Sequence, residues 1–283
     1  MAASTPSTLP RVLGEDEVAF YEEHGYVLVR GVLSRAEAER YRRLILDLVP
    51  RDLTIPAHWG ANAGRIKPYQ PDGKQSFETP ELLPLLTNER LYAAAAQLLG
   101  DPRLRAFDAS LGITIRNDSG RSSGQNLSQT PHLDCSVPGE TAFRFTPAEV
   151  QVGGCYYLTD VEPDGGGIHV MPGGHRWVEE QVRAAGGGLA GRQLHNSWKR
   201  LPDVKTVEVT GAAGDFALLH HLMPHAASHN RRPTTRVAQF TRFTRIDHPH
   251  YPGAPAPEGR WSAEQLAAMT PLGRKLLQVD AWD

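Results

Sequence analysis

Two residues two positions apart carry the clearest chemistry in this chain: His132 and Asp134, in His132-Leu133-Asp134. In an extended segment, side chains two apart leave the same face, so imidazole and carboxylate can reach one ion. Nitrogen and carboxylate oxygen together suit a borderline divalent metal. Two histidines and one carboxylate on one face of an octahedron, with the other positions open, is the arrangement of non-haem Fe(II) oxygenases. The pair alone is a weak signal, because the same pattern arises in strand ends that make ordinary hydrogen bonds.

A second histidine is offered by the run Asp215 to His225, where His220, His221, His225 and His229 cluster. The spacing of His221, His225 and His229 would put three ligands on one helix face, as in zinc enzymes. Pro224 argues against a helix, since it removes a donor and disfavours helical backbone at Met223. The preceding residues are strand-like and follow the Gly214-Asp215 turn, which leaves His225 as the candidate third ligand. Arg236 lies eleven residues further, past a turn containing Asn230 and Pro233. If the chain reverses there, its guanidinium returns toward the metal, and that rigid fork matches a carboxylate bidentately.

These residues need a scaffold of strands. Short apolar runs occupy 109–116, 150–159, 168–171, 205–209, 215–221 and 237–245, separated by Gly-, Pro- and Asn-rich turns. Such punctuation predicts a mainly β protein, a sandwich or jelly roll. Helices are expected at Glu15–His24, stopped by Gly25, at Arg35–Leu48 behind an Ser34 cap, at Pro80–Leu99 before Gly100, at Val178–Leu189, and over Ser262–Leu277. Tyr26–Arg30 reads as a strand. Residues 1–13 read as a segment without fixed structure, and 52–79 as a long irregular stretch of the kind that forms binding loops.

Composition narrows the class. The chain has 283 residues, 40% hydrophobic and 22% charged, with a formal net charge of −2, so it has material for a large core and no basic excess to suit nucleic acid or an anionic membrane. No apolar run approaches the roughly 20 residues that span a bilayer. The two cysteines, Cys135 and Cys155, read as reduced thiols, and the first residues lack a signal-like apolar core, so a cytoplasmic location is expected. Nothing marks an internal repeat or a linker.

Taken together, these motifs resemble the phytanoyl-CoA dioxygenase-like family of Fe(II)/2-oxoglutarate oxygenases. The segment from Asp16 to Leu33 is similar to the family's opening helix and strand. His132-Leu133-Asp134 is similar to its H-x-D, and Tyr156–Val161 with Gly165–His175 to its central strand and loop. Gly214, Asp215, His225, Asn230 and Arg236 fall at the family's spacing. The resemblance implies a double-stranded β-helix (jelly-roll, cupin-like) core with flanking helices, formed by 14–283 as a single oxygenase domain. It implies Fe(II) on His132, Asp134 and His225, with O2 and 2-oxoglutarate as co-substrates, the latter chelating through its 1-carboxylate and keto oxygen and gripped at its far end by Arg236. Gln129 sits where several relatives place an amide against the co-substrate; a solvated loop glutamine is the other reading.

Two departures stand out. Relatives often carry a hydroxyl two residues after the distal histidine, where this chain has Ala227, with Ser228 one further, and some have Thr where it has Ile168. Asp134 is intact, unlike the small residue of halogenating relatives. The expected reaction is oxidation of an unactivated C–H bond of a small molecule, with secondary metabolism as the expected setting, and with release of succinate and CO2, in a monomer or homodimer. His58, Trp59, Arg65, Lys67, Tyr69, the region 192–198, Phe143 and Phe145 are candidates for substrate contact or for ordinary surface and core roles. A cupin-type metal-dependent dioxygenase or isomerase without 2-oxoglutarate is the alternative, and the direction in which Arg236 points separates the two. A non-catalytic relative of the fold would be marked by an incomplete triad.

Overall fold

The structure is a computed structural model, and it describes residues 9–49, 52–53, 55, 57, 65–66, 79–107, 110–117, 126–128, 131–134, 144–145, 151–186, 189–190, 205–248 and 255–282. Helix α1 (Glu15–His24) begins where the Glu17 carboxylate accepts the Gly14 N–H at 2.8 Å. It ends at Gly25, whose φ of 78° is the left-handed turn that glycine adopts cheaply. Strand β1 (Tyr26–Val29) follows, then α2 (Arg35–Asp47), started by a reciprocal Ser34–Glu37 cap. The short β2 (Arg65–Ile66) lies within the irregular stretch.

The single helix expected over Pro80–Leu99 is in fact three pieces. A 3-10 turn at Pro80–Leu82 leads into α3 (Leu83–Leu86), and α4 (Glu89–Leu99) starts afresh because the Asn88 side chain accepts the Leu91 N–H at 2.9 Å. A cap residue inside an apolar run breaks it. Strands β3 (Leu104–Phe107), β4 (Leu111–Thr114), β5 (Arg144–Phe145), β6 (Gln151–Tyr157) and β7 (Ile168–Val170) come next. Helix α5 (Gly174–Ala184) starts four residues earlier than its apolar spacing suggests, and Leu189 belongs instead to β8 (Leu189–Ala190). Strands β9 (Val207–Val209), β10 (Phe216–His220), β11 (His225–Ala227) and β12 (Arg236–Arg245) complete the sheets. The expected terminal helix is split into Ala263–Ala268 and Pro271–Leu276 by the proline that opens the second.

The larger sheet runs β1-β10-β6-β12-β4-β2, all antiparallel, with β3 also alongside β12; the smaller runs β11-β7-β9, and β5 pairs with β8. Alternation along the strands assigns each face of the larger sheet. Val152, Tyr156, Phe216, Leu218, Val237 and Phe243 join a cluster with Tyr21, Ile45, Leu91 and Ala95 of the helices. The intervening Cys155, Tyr157, Ala217, Leu219 and Ala238 join Ile168, Val170 and Val209 of the smaller sheet in a second cluster. The site therefore forms on the side of the larger sheet that faces the smaller one. Among the described residues, no helix is long and apolar enough to cross a membrane.

Candidate metal centre

His132 and His225 are brought together by backbone pairing rather than by sequence proximity. They exchange N–H···O bonds of 2.8 and 2.9 Å, the narrow hydrogen-bonded pair of an antiparallel ladder, so both side chains leave the same face. Their ring centroids are 4.6 Å apart. Asp134, two positions along, follows onto that face: its Oδ1 lies 3.7 Å from His132 Nε2 and its Oδ2 lies 3.3 Å from His225 Nε2. One ligand atom from each of the three residues falls within 4.8 Å of the others, a spacing that one cation can bridge. The His225 Nδ1 lies 2.9 Å from the Met223 carbonyl, so Nδ1 carries the proton that donates there and Nε2 turns its lone pair into the site. His221 precedes β11 in a turn and His229 follows it, and neither joins this group; the three-histidine helix does not form.

The three groups set one another's charge states. Burial would raise the Asp134 carboxyl, but the Arg242 guanidinium and the two histidines outweigh it and hold the group well below the usual carboxylate range. Burial would lower the His225 ring, and the Asp134 carboxylate reverses that and raises it. Arg242 Nη2 reaches Asp134 Oδ2 at 2.7 Å, a contact absent from the sequence reading. Spacing gave the face of Arg242 but not its partner. Arg242 stands six positions after Arg236 on one strand, and an even separation puts both on the same face.

Arg236 is 5% exposed and lines the same cavity as the three ligands, about 140 Å³ in volume, together with Thr114, Ile168, Ala227 and Phe240. That is well below the roughly 300 Å³ at which drug-sized pockets begin, so this chamber suits a small co-substrate rather than a bulky one. The guanidinium sits over the rings of Tyr157 at 5.5 Å and Phe240 at 6.0 Å, and Nη2 donates to Cys155 Sγ at 3.1 Å. Among the described residues its buried Nε has no hydrogen-bond partner, and no carboxylate pairs with it. A desolvated cation without an anion is costly unless a ligand supplies one.

The turn that returns Arg236 is fixed by Asn230. This fully buried side chain donates to the carbonyls of Thr114 at 3.1 Å and Thr234 at 2.6 Å and accepts the Arg232 N–H at 2.9 Å. Asp215 likewise binds backbone, accepting from Gly31 and Ala212 at 2.9 Å each. His175 packs on His220, ring centroids 5.0 Å apart, with its Nε2 3.2 Å from the Glu22 carbonyl, so it secures the end of α1 rather than the metal. Ser228 does not replace the hydroxyl missing at Ala227: its Oγ donates to the Gly167 carbonyl at 2.7 Å. Thr114 is the hydroxyl residue directly across the ladder from Arg236. Gln129, Cys135, His58, Trp59, Lys67, Tyr69, Phe143 and the region 192–198 lie outside the described residues, as do the side chains of Arg65 and Phe145.

With that geometry in hand, comparison is decisive at the level of family: residues 21–238 match phytanoyl-CoA dioxygenase (PhyH). The chain belongs to the phytanoyl-CoA dioxygenase family. That places it among the 2-oxoglutarate-dependent non-haem iron dioxygenases. A probable phytanoyl-CoA dioxygenase of Caenorhabditis elegans is 21% identical over 254 residues, covering 83% of this chain and 77% of that protein. Solved structures share the fold. The non-haem α-ketoglutarate-dependent epimerase SnoN from nogalamycin biosynthesis superposes with a TM-score of 0.58 at 22% identity, covering 82% of this chain and 83% of its own. HygX from Streptomyces hygroscopicus, solved with nickel, 2-oxoglutarate and hygromycin B, gives 0.54 at 14% identity, covering 82% and 88%.

Proposed function

We propose that this family member binds Fe(II) through His132, Asp134 and His225 and couples oxidation of 2-oxoglutarate to oxidation of an unactivated C–H bond in a small molecule. The observation that carries the reading is Arg236, a buried guanidinium with no carboxylate partner among the described residues, opening on the cavity that holds the three ligands. The donor set fits the metal, with two imidazoles and one carboxylate in reach of one another. When bound, Fe(II) with O2 and 2-oxoglutarate supplies the oxidant, and succinate and CO2 are the co-products.

The protein's own part is placement. Arg236 would clasp the 5-carboxylate of the keto-diacid, and the Tyr157 and Phe240 rings beside it keep water from weakening that pair. His225 keeps its tautomer through Met223. We read the two sheets as the halves of a double-stranded β-helix, with the metal at one mouth. An inward Arg236 argues against the cupin-type alternative, which has no use for a buried guanidinium. The epimerase SnoN from nogalamycin biosynthesis and HygX with hygromycin B bound favour a small-molecule substrate of secondary metabolism over a macromolecule. The test is succinate formation from 2-oxoglutarate with Fe(II) and ascorbate under air, against Asp134→Ala. Succinate above that control supports the reading. No 2-oxoglutarate binding by the metal-loaded protein would overturn it.

A further inference from the structure

We propose that Arg242 is a positioning residue that makes Asp134 a one-oxygen ligand and so keeps the metal's remaining positions open; this deepens the metal-site reading above and rests on it. Three observations place the side chain. Arg242 Nη2 lies 2.7 Å from Asp134 Oδ2, in the short range of charge-assisted bonds. Across the ladder, Arg242 pairs with Gly153 on β6 and with Phe107 on β3. A Cβ at Gly153 would stand 2.5 Å from Arg242 Cγ and 3.2 Å from its Cβ and Cδ, so the arginine stem occupies the notch that this glycine leaves. The guanidinium lies 6.0 Å from the centre of the Phe107 ring, which steadies its far end.

The consequence follows from carboxylate chemistry. A free carboxylate can give a cation one oxygen or two. With Oδ2 committed to a short bond from a fixed guanidinium, Oδ1 is the better donor, and Asp134 takes one position. On an octahedral ion, two histidines and one oxygen leave three positions, as a bidentate keto-acid and O2 together require. A second oxygen from Asp134 would remove one of them. A guanidinium beside a dication gains nothing by Coulomb attraction to the ion itself, so its effect runs through the carboxylate it holds.

The experiment uses Mn(II) as probe and counts exchangeable water on the bound ion by water-proton relaxation, with Mn(II) affinity measured in parallel. Arg242→Met should hold Mn(II) within about threefold of the wild type or more tightly, while the bound-ion relaxivity falls by about one third, from about three waters to two. Gly153→Ala, which displaces the stem without touching the ligands, should do the same, and Arg242→Lys should restore most of the signal. Wild-type relaxivity in a folded Arg242→Met would overturn the proposal while leaving the metal site standing. Loss of Mn(II) affinity beyond about 100-fold in the folded variant would also overturn it, because Arg242 would then be an anchor for the ligand. A wild-type protein that binds no Mn(II), or binds it equally after Asp134→Ala, would sink the metal-site reading itself.

Discussion

Replacing Arg236 by Met separates binding of the keto-diacid from everything else the site does. The guanidinium is 5% exposed and roofed by Tyr157 and Phe240, so solvent screens little of its attraction for an incoming carboxylate. Truncating one partner of a buried, hydrogen-bonded charge pair costs about 2–5 kcal/mol. At 1.4 kcal/mol per factor of ten, the Kd for 2-oxoglutarate should rise roughly 30- to 4,000-fold. Calorimetric titration of the Mn(II)-loaded protein without oxygen measures this directly. The same titration with 2-oxobutanoate, which chelates identically but lacks the distal carboxylate, should show at most about a threefold change. Because Arg236 has no described carboxylate partner, its removal should leave the melting temperature unchanged or raise it. Equal losses for both keto-acids, or a large drop in melting temperature, would refute the reasoning and make Arg236 a structural residue.

Other consequences are as direct. Asp134→Ala removes the anionic ligand, so Mn(II) affinity should fall by more than about 100-fold and succinate release should stop, as read by calorimetry and by product assay. Gly25→Ala should cost about 2–4 kcal/mol in urea unfolding, because a Cβ there collides with His175 and Met223 at a φ of +78°; Gly31→Ala, at +59° with open space around it, should cost only about 1 kcal/mol. Burial lowers the pKa of His175 and His220 below the ordinary 6.5. The unfolded chain then binds protons that the folded chain refuses, so stability holds above about pH 6.5 and declines below it. Melting temperature against pH should show that decline, and it should be shallower in His220→Asn, whose amide oxygen can still accept the Leu222 N–H.

The cluster of His132, Asp134 and His225 with Arg236 beside it was legible because it is tied to spacing: i and i+2 in His132 and Asp134, and a run of turn-forming residues between His225 and Arg236. The helices at 15–24 and 35–47 were legible for similar reasons, since Gly25 and Ser34 mark a stop and a start. Elsewhere local signals competed. Asn88 interrupts an apolar run that otherwise reads as one helix, and β11 is only three residues long, too short for alternation to show. The Arg242–Asp134 contact joins residues more than a hundred positions apart. It depends on the register of β12 and on the space left by Gly153, neither of which a single sequence displays. Candidate substrate contacts such as His58, Trp59, Lys67, Tyr69 and the region 192–198 fall in stretches that show no period, and they lie outside the described residues.

The most direct measurement is a crystal grown without oxygen in the presence of Mn(II) and 2-oxoglutarate, with the metal located by its anomalous scattering. One peak should lie about 2.0–2.2 Å from a nitrogen of His132, a nitrogen of His225 and an oxygen of Asp134, with the far carboxylate of the keto-diacid on the Arg236 fork. A peak at any other cluster, or a keto-diacid whose distal end points away from Arg236, would contradict the assignment.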